Sequence, residues 1–385
     1  MNVPKLRFKE FTDEWQKKTL KSVSSYFKSG KSIKSNDILK NAPYPVYGGN
    51  GLRGYTNTFN FDGNASLIGR QGALCGNVTY VKGKNYMTEH AVIVQSNYDN
   101  YNKFLFYILL SMNLNQYSTQ SAQPGLSVNN LLELFNYFPN IQEQEKIAKF
   151  LTTVDKKITN LENTITSLEN QKKGLLQQIF SQKLRFKDKN SNNYPNWEKK
   201  KLGDTLLIQR GGSPRPISDY ITNDKNGLNW IKIGDCSPNS NIITSTKEKI
   251  KPEGLSKTRE VFIGDLILSN SMSFGRPYIL NINGCIHDGW LLLRNTKKIY
   301  NLQFLCYILG SEYTTKQYKK LASGSTVNNL NIELVSSVDI TIPCLEEQTK
   351  IADFLSAFDR KLENQKAQLE HWKQIKKGLL QQMFV

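Results

Sequence analysis

Four residues, SGKS at Ser29 to Ser32, end the way a phosphate-binding loop ends, and they raise the first chemical question. A complete loop of that kind needs a glycine five residues before Gly30; Ser25 stands there, and no clear strand precedes it. Histidine, the side chain best suited to proton transfer near neutral pH, occurs three times (His90, His287 and His371), too scattered for a metal triad. The five cysteines (Cys75, Cys236, Cys285, Cys306, Cys344) are odd in number and never form a CxxC pair. That usage predicts reduced thiols in a cytoplasmic protein, with neither a zinc site nor a disulfide framework. The acidic residues form no nuclease-like cluster. The expectation is a chain with no catalytic residues, no metal site and no cofactor of its own.

The residue types favour contact with a polyanion instead. The net charge is +18 over 385 residues, which points to nucleic acid as a partner. Several glycine-rich stretches carry side chains able to meet a duplex. YPVYGGNGLRGYTNTF (Tyr44 to Phe59) offers Tyr47, Asn50 and Arg53, and IGRQGALCGN (Ile68 to Asn77) offers Arg70 and Gln71 on a turn after an apolar run. QRGGSPRP (Gln209 to Pro216) offers Arg210 and Arg215, and SNSMSFGRP (Ser269 to Pro277) offers Ser271, Ser273 and Arg276. Glycine lets a backbone approach phosphates, Arg pairs bidentately with guanine, and Asn or Gln with adenine. His90 and His287 follow these turns at comparable distances and join the candidates, with a structural role at a strand edge as the competing reading. Gln123 and Ser127 complete the set. For each loop taken singly, an ordinary surface turn competes. NAPY (Asn41 to Tyr44) differs from the Asn-Pro-Pro-Tyr signature of DNA adenine methyltransferases at Ala42 and lacks a companion glycine-rich loop, so it is read as a coincidence.

The elements that must position these residues are organised by a repeat. From Pro139 to Phe180 and from Pro343 to Phe384 the chain realigns at a constant offset of 204, with 19 of 42 pairs identical. PNIQEQEKIAKFL answers PCLEEQTKIADFL, Asp155 answers Asp359, and KKGLLQQIF answers KKGLLQQMF. Upstream, KFLFYILL answers QFLCYILG, SVNNLLEL answers TVNNLNIEL, and KLRFK recurs at Lys5 and Lys183 with Trp15 and Trp197 following. The chain therefore reads as one unit used twice, a variable block followed by a shared block. The expected segments are 1–138 and 183–342 for the variable blocks, and 139–182 and 343–385 for the shared ones. The variable blocks carry net charges of +7 and +9 and the shared blocks +1 each, so the basic excess lies where the chain varies.

Each shared block has a heptad stripe. It runs through Ile147, Leu151, Val154, Ile158, Leu161, Ile165, Leu168, Leu175 and Ile179, and again through Ile351, Leu355, Phe358, Leu362, Leu369, Trp372, Leu379 and Met383. Lys172, Lys376 and Gln365 are the non-apolar members. Such a 3.5-residue period is a coiled-coil seam, and the obvious partner for each helix is the other. A proline precedes each helix and acids (Glu143, Glu145; Glu346, Glu347) suit its first turn. The variable blocks read as mixed, mostly β structure, with short apolar runs (ASLIG, AVIVQ, DLILS, WLLLR) between polar and glycine clusters, closed by an aromatic helix near Phe104 or Phe304. The longest apolar run, Phe104 to Leu110, is too short to span a bilayer.

With these residues assembled, the sequence closely resembles the specificity subunit of type I restriction–modification enzymes. The resemblance covers essentially the whole chain and rests on EQxKIAxFL, the following Asp, KKGLLQQ[IM]F, the front KLRF…W element and the block order. It implies an α+β fold, with two mixed α/β target recognition domains separated by two long antiparallel coiled-coil helices in a pseudo-two-fold repeat. It also implies that each domain reads one half of a bipartite, asymmetric site in double-stranded DNA. The implied partners are two modification subunits, which carry S-adenosylmethionine and methylate adenine at N6, and two restriction subunits, which use ATP and Mg2+. Two other classes compete: a self-contained methyltransferase or nuclease with unrecognised motifs, and a coiled-coil scaffold whose basic blocks bind acidic proteins.

Overall fold

The computed structural model describes residues 3–72, 74–118, 125–237, 240–270, 275–322 and 329–385. Its two longest helices, Ile141–Phe180 and Leu345–Gln382, are those of the shared blocks. The chain divides into two compact units that cut across the four expected segments. One comprises Met1–Glu162 with Ala367–Val385, the other Asn163–Lys366. Each unit thus contains the front of one long helix and the back of the other.

In the first unit a six-stranded sheet runs in the order Ser24–Ser29, Ala91–Ser96, Phe61–Gly69, Val78–Met87, Tyr44–Gly48, Gly51–Thr56. Its central strands are apolar on both faces because both faces are covered. Ile68, Val92 and Val94 join the core formed with helix Asn102–Ser111, while Leu67 and Ile93 join Phe61, Val81 and Met87 opposite. The second unit repeats this alternation: Leu266, Leu268, Leu291 and Leu293 face helix Leu302–Leu309, and Ile267, Trp290 and Leu292 face away. Here the strands form two five-stranded sheets. Tyr47 pairs in parallel with Met87 as Ile231 pairs with Ile286, and Gly69 faces Ala91 as Ser269 faces Trp290. The offset between the units rises from 184 to 200 across that interval. Most of the second block's extra length therefore lies in residues 232–268, which add the strands Ile242–Ile243, Glu248–Ile250 and Arg259–Val261.

The repeated phrases have specific partners. Arg7 of the first KLRF grips the buried carboxylate of Glu143 with two 2.8 Å hydrogen bonds, and Arg185 grips Glu347 identically. Pairing with these carboxylates raises both guanidinium pKa values. Gln144 accepts the Tyr101 N–H and donates to the Pro139 carbonyl; Gln348 does the same with Asn301 and Pro343. Of the four acids expected to suit the helix dipole, Glu143 and Glu347 are thus buried ion-pair members.

Farther along the helix, the Tyr107 hydroxyl donates to Asp155 at 2.7 Å and Lys376 pairs with the same carboxylate at 2.7 Å. In the second unit Tyr307 donates to Asp359 at 2.7 Å, and Lys172 pairs with it. The lysine of KKGLLQQ therefore always locks onto the aspartate of the other half. Beyond it, Met383 and Phe384 enter the first core beside Trp15 and Phe104, as Ile179 enters the second core and Phe180 packs against Phe304.

The helices pair antiparallel within each unit, since partner numbers fall on one helix as they rise on the other. Lys376 meets Asp155 and Lys373 meets Glu162 in the first unit; Lys366 meets Glu169 and Lys172 meets Asp359 in the second. The stripe is buried along Ile147, Leu151, Val154, Ile158, Leu161, Ile165, Leu168 and Ile179, with Leu175 half-buried. On the second helix Ile351, Leu355 and Met383 are buried, while Phe358, Leu362, Leu369, Trp372 and Leu379 are half-buried. His371 is exposed. No described helix is long and apolar enough to cross a membrane.

Candidate nucleic-acid interface

The basic blocks present their glycine-rich loops on one shared backbone pattern, although most of their residues there differ. In the first unit Gly30 N–H donates to Ala91 O, Lys31 N–H to Met87 O, Ala91 N–H to Thr88 O, Arg70 N–H to His90 O and Leu126 N–H to Arg70 O. In the second, Gly211 donates to Trp290, Gly212 to Ile286, Trp290 to His287, Asn270 to Gly289 and Leu330 to Asn270. Ser29–Ser32 thus corresponds to Arg210–Ser213, Arg70 to Asn270, and the turn Thr88–Ala91 to His287–Trp290. A Cβ at Gly30 would collide with the Met87 carbonyl oxygen, and one at Gly211 with that of His287. This close approach explains the glycine of SGKS. The N–H groups of Gly30 and Lys31 are spent on protein carbonyls and cannot cradle a phosphate.

In the first unit, three candidates gather around the turn Thr88–Ala91. Arg70 is half-buried and its Nη1 donates to Ser29 Oγ at 3.0 Å. Gln71 is exposed and bridges to Gly125, and His90 has its Nε2 3.3 Å from Glu89 Oε1. Asn50 is exposed at the hairpin tip, where a Cβ on neighbouring Gly49 would meet the His90 carbonyl. Arg53 is exposed with its stem over Gly48. Tyr47 is half-buried against the Phe61–Met87 cluster, and that burial raises its phenol pKa. Ser127 is exposed ahead of helix Val128–Glu133 without capping it.

In the second unit, Arg210 and Arg215 are exposed around Asp288. The first donates from Nε to the Asp288 carbonyl at 3.3 Å; the second has Nη2 3.8 Å from Asp288 Oδ2. Arg276 is half-buried over the Tyr278 ring, with Nη2 donating to Ser237 O at 3.4 Å. His287 is largely enclosed and accepts the Gly289 N–H on Nδ1 at 2.7 Å. Burial lowers its pKa. The two histidines are not equivalent, since His287 corresponds to Thr88 and His90 to Gly289. Arg276 is likewise not the counterpart of Arg70. Gln123, Ser271 and Ser273 lie outside the described residues.

The acid in each turn, Glu89 and Asp288, is a further candidate that residue type and spacing do not single out. The Ser213 hydroxyl, 2.8 Å away, holds the Asp288 carboxyl below its usual range. Only the juxtapositions Glu89–His90 and His287–Asp288 hinted at them. Among the described residues no group of three His, Cys, Asp or Glu could hold a metal ion.

Comparison with known proteins places this arrangement. The profile of the family described as "Type I restriction modification DNA specificity domain" matches residues 12–170 and again 194–371. The EcoprrI type I restriction enzyme specificity subunit of Escherichia coli is 44% identical over 154 residues, which are 39% of this chain and 38% of that relative. The MjaVIII specificity subunit of Methanocaldococcus jannaschii is 25% identical over 256 residues, 63% of this chain and 59% of that relative. These alignments therefore span less than two thirds of either relative. Among solved structures, the S subunit of a type I restriction–modification system from M. genitalium shares the fold with a TM-score of 0.67 at 18% identity, covering 100% of this chain and 99% of that one. A chain from a study of type I R-M complex assembly and conformational transition has a TM-score of 0.58 at 16% identity, covering 95% and 96%. With a family match in each half, the chain belongs to the type I restriction modification DNA specificity domain family.

Proposed function

We propose that this chain is the noncatalytic DNA-reading subunit of a type I restriction–modification complex. Each unit reads one half of a bipartite, asymmetric duplex site, and the long helices set the spacing between the halves. The helices also recruit two modification subunits, which bind S-adenosylmethionine and methylate adenine at N6. Two restriction subunits, using ATP and Mg2+, complete the endonuclease. The observation that carries this reading is the matched pair of loop scaffolds in the two basic blocks, alike in backbone bonding and different in most of the side chains they present, as at Ser29/Arg210, Lys31/Gly212, Arg70/Asn270 and Thr88/His287. One scaffold bearing two sets of side chains suits two different half-sites, because phosphate contacts position a reader and base contacts specify it.

The test is binding of the chain, assembled with its modification subunits, to a library of randomised duplexes. The expected result is a split motif, with log affinity falling against log salt by about 0.9 per phosphate neutralised. Salt-insensitive binding or an unselective pool counts against the reading. The chain alone, incubated with labelled S-adenosylmethionine and DNA, is expected to transfer no label.

A further inference from the structure

The turn Thr88–Ala91 and its counterpart His287–Trp290 share backbone bonds but only one chemical feature, an acid in second place. Glu89 and Asp288 each stand in a block whose net charge is strongly positive. Their side chains are 43% and 47% exposed, although Glu89 Oε2 is itself buried without a hydrogen-bond partner. Glu89 Oε1 lies 3.3 Å from His90 Nε2, with Arg70 latched by its N–H to the same turn. Asp288 Oδ1 accepts the Ser213 hydroxyl at 2.8 Å, and Oδ2 faces Arg215 Nη2 at 3.8 Å. The Asp288 main-chain carbonyl accepts from Asn270 Nδ2 at 2.8 Å and Arg210 Nε at 3.3 Å, which fixes the turn.

A half-exposed carboxylate is the wrong group to press against phosphate, since like charges repel and polyanion binding is driven by cations. An ionised carboxylate is also an acceptor without a donor. In a DNA groove it suits an exocyclic amino group, and cytosine N4 is its usual partner in the major groove. Placement at one backbone position in two otherwise dissimilar blocks makes an accidental surface acid a poor explanation.

We propose that Glu89 and Asp288 are equivalent base-reading residues, one per unit, each accepting a hydrogen bond from the amino group of a cytosine in its own half-site. The assignment rests on the DNA-reading function proposed above and adds a chemical identity to one contact in each half. Ser213 orients the Asp288 carboxylate, and the surrounding arginines hold the turn and meet the backbone of the duplex.

Duplex selection with the assembled complex tests this, comparing wild type with Glu89→Gln, Asp288→Asn and Ser213→Ala. The expected result for Asp288→Asn is a loss of about 10-fold in discrimination at one C·G position of a single half-site, the other half-site being untouched. Glu89→Gln is expected to do the same in the opposite half, and Ser213→Ala to weaken the Asp288-dependent preference alone, leaving every other position of the motif as it is. The proposal is overturned if Asp288→Asn tightens binding to every sequence with the motif unchanged, which would make the acid only a repulsive charge. It is also overturned if Asp288→Asn lowers discrimination at several positions of the half-site together, which would make Asp288 only an anchor for its loop. A wild-type complex that selects no motif overturns the DNA-reading function itself, and is told apart because in the other two outcomes the wild-type complex still selects its motif.

Discussion

Gly30 and Gly211 are required where they stand, while Gly174 and Gly378 are not required by anything in their own units. A Cβ at either of the first two meets main-chain carbonyl atoms that cannot swing aside, whereas one at Gly174 or Gly378 meets nothing within 4 Å. Gly30→Ala and Gly211→Ala are therefore expected to cost about 1–3 kcal/mol through overpacking. Gly174→Ala and Gly378→Ala are expected to add up to about 1 kcal/mol each through helix propensity, and urea denaturation midpoints check both pairs. A Gly174→Ala or Gly378→Ala protein that is more stable yet assembles less well with modification subunits would show that a partner uses the gap. His287 supplies a pH dependence. Burial holds its imidazole below the ordinary 6.5, against the opposing pull of Asp288. As pH falls below about 6.5, the unfolded chain takes up a proton that the folded unit resists, so stability is full above that value and is lost as pH drops through the folded pKa. His287→Gln is expected to flatten that loss, followed by the fluorescence of Trp230 and Trp290, whose rings lie 6.2 and 6.1 Å away. Of the candidate contact residues, the sequence identified the loops but not their equivalence. Thr88 and His287 share a place only through backbone bonds to other strands, and side-chain identity carries no trace of that.

Two elements, the aromatic helix of each block and the front of the following long helix, are pinned by one tyrosine. Burial raises the pKa of Tyr107 and of Tyr307, and each donates to an aspartate that a lysine of the other half also holds. Tyr107→Phe is expected to cost about 1.5–3 kcal/mol, the range for a hydrogen bond to a charged group. Tyr307→Phe should cost a similar amount, with the loss confined to the second unit in hydrogen exchange. The heptad stripes were legible because a 3.5-residue period has one geometric solution. The lysines at stripe positions 172 and 376 were not explained by it, since their partners lie 187 and 221 residues away in sequence. Among strands, the apolar runs at Ala65–Gly69 and Trp290–Arg294 were legible. The ten-residue strand Val78–Met87 was not, because Lys82, Gly83 and Lys84 stand exposed at its middle and break any alternation.

For the whole molecule, the two long helices carry continuous chain from one unit into the other, and this makes the proposed spacing role testable. Seven residues inserted after Glu162 in the first helix and after Lys366 in the second fall where the units divide, and leave every pairing named above within its own unit. Each helix gains about 10 Å, or about three base pairs at 3.4 Å per step. The expected outcome is the same two half-sites with a longer spacer, read by mapping methylated adenines with the assembled complex. An insertion in one helix alone is expected to shift the spacer or abolish recognition, and an unchanged site after either edit would falsify the spacing role. The division of the units also has a consequence in time. The ribosome makes the first recognition block first, yet the segment Ala367–Val385 that closes its core arrives only after the 204 residues of the second unit. At roughly 5–20 residues per second that interval is on the order of 10–40 s, during which Ile147, Leu151 and Val154 have no partner helix to cover them. The block that is encoded first is finished last, so the window for chaperone capture or misassembly belongs to the first unit and not to the second.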